Sequence, residues 1–281
     1  MNDKIRQELF NLGDEKYKKF SSTLIPNSKP IIGVRIPVLR KFAKEHLNDW
    51  KSIITDTTKD LYFEETMLRG MMLGYGSSKE KNIDEALRLL DEFVPMVDNW
   101  SVCDGCCVSF TIFEKHKERV FEHIQRYLNS DKEFEVRVGL IILLDHFLKV
   151  DGNGNKAKRK RVVSENDIEA SKVFDENGLY IDKILDIINR QYTQGYYAMM
   201  AAAWLTAECF VVFPAKTYTF LKATSLQLNN RKNNIIDDSE NVNDKIYCMD
   251  KVTFNKALQK ICESLIPDDN VKKLIKQLKV K

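Results

Sequence analysis

Trp100 and Asp104 stand four residues apart in the stretch Asp98-Asn99-Trp100-Ser101-Val102-Cys103-Asp104, and their types suit chemistry on a sugar or a base. On a helix that spacing stacks both side chains on one face. A flat ring attracts and packs against a cationic or sugar-like group, while a carboxylate only accepts hydrogen bonds and stabilises positive charge beside it. The same pair also fits a core tryptophan with a helix-capping aspartate. A formal C-x-x-C, Cys103-Asp104-Gly105-Cys106, overlaps it. No second C-x-x-C or C-x-x-H follows at zinc spacing, and His46, His116, His123 and His146 are scattered. The cysteines therefore read as core packing, and neither a metal nor an organic cofactor is expected.

The elements that must position this pair are helices. Leu68, Met71, Met72 and Tyr75 follow the i, i+3, i+4, i+7 pattern, as do Ile83, Leu87, Leu90 and Val94, and again Val136, Leu140, Leu143 and Leu144. Sustained period-two alternation is missing, so almost no sheet is expected. Pro37, Pro95, Pro214 and Pro267 fall where helices start or stop. The pattern predicts antiparallel pairs: 2–20 with 35–48, 60–75 with 80–95, 99–115 with 117–129, 133–149 with 180–190, 196–213 with 214–224, and 253–264 with 267–279. A spacing of roughly 40 residues per pair is that of HEAT and armadillo repeats. The expected fold is all-α, an armadillo-type α-α superhelix in one HEAT-like repeat domain over 1–281. Surface insertions are expected at about 150–178 and 226–251; the first contains the basic run Lys156-Ala157-Lys158-Arg159-Lys160-Arg161.

With 43% hydrophobic and 30% charged residues, the chain has ample material for a core and for long amphipathic helices. Its net charge of +3 is too small to announce a polyanion partner by itself; a basic patch would have to come from where the charges sit. No apolar run reaches the roughly 18 residues that span a bilayer, and Met1-Asn2-Asp3-Lys4-Ile5-Arg6 is no signal peptide. A cytoplasmic protein with reduced thiols, not bound to a membrane, is expected.

Five stretches together resemble a known family. They are Gly33-Val34-Arg35-Ile36-Pro37-Val38-Leu39-Arg40, Glu64-Glu65-Thr66-Met67-Leu68-Arg69-Gly70, the Trp100/Asp104 segment, Ala201-Ala202-Ala203-Trp204-Leu205-Thr206-Ala207-Glu208, and Thr253-Phe254-Asn255-Lys256-Ala257-Leu258 with the residues that follow. In order and over nearly the whole chain, they are similar to the HEAT-like-repeat DNA alkylation repair proteins, the family of the AlkD-type DNA glycosylases. The resemblance implies hydrolysis of the N-glycosidic bond of cationic N3- and N7-alkylated purines in double-stranded DNA, without a base-flipping pocket. A solenoid with capped ends can be a monomer, and a monomer is expected. The resemblance also implies that Asp104, Trp100 and Trp204 form the catalytic set and that Arg137 contacts the DNA backbone. Where the AlkD-type enzyme has an arginine three residues after the second tryptophan, this chain has Ala207.

The chemistry suits those roles. An N3- or N7-alkylated purine is already cationic and leaves readily, so the remaining barrier is positive charge developing on the sugar. Asp104 near that sugar would stabilise the cation and orient or deprotonate water. The residues also admit other readings. Trp204 fits an ordinary buried position in an apolar helix, Arg137 fits an i,i+4 surface pair with Glu133, and Arg35, Arg40 and Lys44 fit either phosphate anchors or a solvated face. The alternative functions are a non-catalytic HEAT-repeat DNA-structure-binding protein and a protein–protein scaffold.

Overall fold

A computed structural model describes residues 1–25, 28–148, 180–232 and 247–281, together with Asn166 and Ile168. The described chain is helical without strands, its helices packed on their neighbours in solenoid-like fashion. The basic run 156–161 and most of both expected insertions lie outside the described residues.

Two compact units form. The first comprises Met1–Ser130 with Arg137–Ile142, and the second Asp131–Val136 with Leu143–Lys281.

In the first unit the helices are α1 (Asp3–Asn11), α2 (Glu15–Leu24), α3 (Ile36–Glu45), α4 (Trp50–Thr55), α5 (Phe63–Glu80), α6 (Ile83–Phe93), α7 (Trp100–Cys107) and α8 (Lys117–Leu128). The helix expected over 2–20 is two helices. The chain turns at Leu12-Gly13, and the Asp14 carboxylate caps the next helix by accepting from the Tyr17 N–H at 2.9 Å. The expected 35–48 helix stops at Glu45, followed by a 3-10 turn over Leu47–Asp49 and the unforeseen α4. Likewise α7 ends at Cys107, and Thr111–Lys115 is a 3-10 turn.

The 18-residue α5 is the spine of this unit, packing against α3, α4, α6 and α7. Two of its residues explain why two of the sequence stretches matter. The buried Glu64 carboxylate accepts the N–H groups of Ile32, Gly33 and Val34 at 2.9, 2.7 and 3.1 Å, fixing the loop that feeds α3. Gly70 lets α7 approach, because a Cβ there would lie 2.7 Å from the Cys106 sulfur. Together these two contacts set α3 and α7 on the same spine.

The second unit begins with the first turn of α9 (Glu133–Ile142), whose later residues belong to the first unit. A buried π-helical segment, Leu143–Leu148, continues it. Then come α10 (Ile181–Ile188), α11 (Tyr196–Val212), α12 (Pro214–Lys232), α13 (Lys251–Glu263) and α14 (Asp269–Gln277). The helix expected over 214–224 runs on to Lys232. α11 is the spine here, packed against α10, α12 and α13, while α13 and α14 pair as the spacing predicts.

Candidate active site

α7 is a short helix buried on every side but one. Asn99 opens it, its side chain accepting from the Ser101 and Val102 N–H groups, both at 3.0 Å. Ser101, Val102, Cys103, Gly105, Cys106 and Cys107 are buried, leaving Trp100, Asp104 and Val108 half-open at i, i+4 and i+8. The expected stacking of Trp100 and Asp104 on one face is thus the one open stripe of the helix. The capping is done by Asn99, so Asp104 is not a cap.

Each member of the pair is anchored separately. The Trp100 indole N–H donates to the Leu24 carbonyl at 3.2 Å, an oxygen at the end of α2 that no helical N–H can reach. Asp104 accepts two bonds from Arg137: Nε to Oδ1 at 3.0 Å and Nη2 to Oδ2 at 2.7 Å. This fork geometry fixes a carboxylate in orientation as well as position. The Arg137 side chain is 6% exposed and that of Asp104 17%, so the guanidinium lies beneath the carboxylate, which keeps an open edge. Burial pulls the Arg137 guanidinium down, but the Asp104 charge and its hydrogen bonds hold it net above its ordinary value.

Arg137 therefore departs from the surface pairing with Glu133 that its spacing allowed. Glu133 instead accepts from the Tyr197 N–H at the start of α11. The separation of 33 residues between Asp104 and Arg137 lies beyond any helical pattern.

The α3 cations divide. Arg35 is exposed and engaged with Asp14, Nη2 to Oδ2 at 2.8 Å. Arg40 reaches the α7 backbone, its Nη2 lying 3.4 Å from the Gly105 carbonyl, while its buried Nε has no partner among the described residues. Lys44 sits 5.4 Å over the Tyr75 ring. Arg40 and Lys44 line one groove of about 510 Å³ with Pro37, Lys41 and Glu45. An unpaired buried donor costs about 1–3 kcal/mol.

Trp204 belongs to the second unit. It is half-exposed, not the core tryptophan its apolar helix permitted; that role falls to Trp50, 4% exposed against Gly76. Twelve of the 17 residues of α11 are buried, and Tyr197, Met200, Trp204 and Glu208 line its partly open stripe. The Trp204 indole N–H donates to Glu208 Oε1 at 3.3 Å. Glu208 was not singled out from the sequence, although it follows Trp204 at the same interval at which Asp104 follows Trp100. Ala207 is buried at 5%. Among the described residues no group of three or more His, Cys, Asp or Glu side chains is placed to hold a metal ion, and no helix is long and apolar enough to cross a membrane.

A family model described as DNA alkylation repair enzyme matches residues 5–167, which include Trp100, Asp104, Arg137 and the α3 cations. The chain belongs to this family, and its role is in DNA repair with DNA as partner. No curated protein and no solved structure matches it. Trp204 and the helices from α10 onward lie beyond the matched residues.

Proposed function

We propose that the chain is a monofunctional DNA glycosylase that hydrolyses the N-glycosidic bond of cationic N3- and N7-alkylated purines in duplex DNA. The observation that carries this reading is the Trp100–Asp104 stripe with Arg137 beneath it. A carboxylate held from below by a buried fork donor presents an open edge beside an aromatic face. A positively charged purine is a good leaving group, so the protein's task is to stabilise the oxocarbenium-like sugar and bring in water. Asp104 does both: its negative charge faces the developing cation, and its carboxylate orients or deprotonates the attacking water. Trp100 packs on the sugar, with Trp204 as the second aromatic of the set. Arg137 is a positioning residue, acting on the reaction through Asp104. Arg40 and Lys44 contact phosphates, and Arg35 joins them by exchanging its exposed pair with Asp14, which is a weak one. No lysine nucleophile takes part, so release leaves an unbroken strand. A single copy of the chain suffices for this site set.

A second reading, a DNA-structure-binding protein without catalysis, draws on Ala207. The buried methyl group at this position supplies no cation to the Trp204 stripe, and the next residue is Glu208. The test is base release from duplex DNA carrying N7-methylguanine, comparing the wild type with Asp104→Asn. Release that collapses in the variant is expected. Salt-sensitive DNA binding with no release by the wild type would sink the enzyme reading in favour of the second.

A further inference from the structure

The net charge of the whole chain hides a strong local bias. Between Tyr247 and Lys281 there are eight lysines and no arginine against four carboxylates, a net of +4 where the entire chain nets +3. α13 and α14 gather these lysines around one groove of about 700 Å³. Lys251 and Lys256 wall it from α13, and Lys276 and Lys279 from the end of α14.

Among the described residues, none of these four ammonium groups is paired with a carboxylate. Lys256 meets the Gln259 side-chain oxygen, at 3.1 Å. The nearby acids are engaged elsewhere: Asp250 accepts from the Thr253 N–H and hydroxyl at 2.9 and 2.6 Å, and Glu263 accepts from Gln259 at 2.7 Å. The floor is apolar, with Val252 61% exposed and Cys262 half-buried. Burial pushes the Cys262 thiol up while Lys276 and Lys272 pull it down, so the lysine charges are felt inside the groove. The walls are fixed, because Asn255 exchanges two hydrogen bonds with the Val280 backbone, at 2.9 and 3.2 Å.

Lysines gathered around one groove with no carboxylate partner sum their charges into a field that attracts a polyanion. From Lys251 to Cys262 the α13 face is about 17 Å long at 1.5 Å per residue, which matches about five phosphates of one DNA strand at 3.4 Å of axial rise each. We infer that α13 and α14 form a second DNA-contacting surface, which grips the phosphate backbone through Lys251, Lys256, Lys276 and Lys279 and reads no sequence. It lies on residues beyond those the family model matches. It rests on DNA being the partner, and not on the glycosylase chemistry at Asp104.

The test is binding of the full chain to an undamaged fluorescent 24-base-pair duplex over a salt series. The wild type is compared with the fourfold Lys→Gln variant at 251, 256, 276 and 279, the matching Lys→Arg variant, and Asp104→Asn. Each phosphate that is no longer neutralised lowers the slope of log affinity against log salt by about 0.9. The Lys→Gln variant is expected to lose about 2 or more of slope, equally on unrelated sequences, while Lys→Arg and Asp104→Asn keep the wild-type slope. A smaller loss in a Lys→Gln protein that melts like the wild type overturns the proposal and leaves the groove to an acidic protein partner. Should the Lys→Gln protein not fold, Lys251→Gln with Lys279→Gln alone must still lose about 1 or more, or the proposal fails. Single-turnover base release from the N7-methylguanine duplex is read in parallel for each protein. An absence of release in every variant would fail the glycosylase reading without touching this one.

Discussion

α7 and α11 carry the same short pattern, a tryptophan followed four residues later by a carboxylate, and each places it on the partly open stripe of an otherwise buried helix. The anchoring differs. On α7 the indole is tied to a backbone carbonyl of α2 and the carboxylate to a buried arginine, so ring and acid are held independently. On α11 the indole N–H turns to the carboxylate of its own helix, at a longer 3.3 Å. Aspartate is also one methylene shorter than glutamate and has less freedom to give up. The comparison teaches that spacing alone does not make a site: a catalytic carboxylate needs a support that leaves its reactive edge open.

Removing the support should have the largest effect. Arg137→Ala leaves Asp104 over an empty, half-buried space, and breaking a buried pair from one side costs about 3–5 kcal/mol. The expected result is a large drop in the thermal midpoint, with Arg137→Lys recovering part of it. If Arg137→Ala melted like the wild type, the α7 site would be no better supported than the α11 stripe.

Asp104→Asn keeps the shape and one acceptor but removes the charge. Base release should fall by about 10²–10³, the loss typical when one electrostatic contact to the transition state is removed. DNA affinity should change little. A release rate within threefold of wild type would dissolve the distinction between the two helices.

Backbone strain can break the α11 side alone. Gly195 has φ of +150°, and a Cβ there would lie 2.4 Å from the Glu133 carboxyl group that caps α11. Gly195→Ala should cost about 1–3 kcal/mol, read as a lower midpoint in chemical denaturation. The cost should shrink in the Glu133→Ala background, where the clash is relieved.

The smallest effect should come from Glu208→Gln, which keeps an oxygen for the indole. Release should stay within about threefold of wild type, since the variant keeps an acceptor for the Trp204 indole N–H and removes a charge from the α11 stripe, not from the Asp104 carboxylate. A loss as deep as that of Asp104→Asn would make the second carboxylate part of the chemistry.

The helices themselves were legible because periodicity and prolines are local. The breaks were less so: Asp14 as a cap and the Trp50 helix compete with a pattern that reads through them. The Trp100–Asp104 face could be read from spacing, but the support could not. Glu133 was the near neighbour that helical geometry offered Arg137, and a tertiary contact to Asp104 won because it buries the guanidinium with its charge matched. The lysine groove was legible in principle, by counting charge segment by segment. The whole-chain average erased it.

One consequence concerns the sulfur atoms beside the site. Cys103, Cys106 and Cys107 lie on α7 with no exposed surface, and burial pushes the Cys106 thiol far above its ordinary range. Alkylating agents attack thiolates that solvent can reach. A repair protein of this family works where such agents are present, and open thiolates on α7 would be consumed by the same compounds that damage the DNA. Sealed within the helix packing, these thiols are out of reach of such compounds.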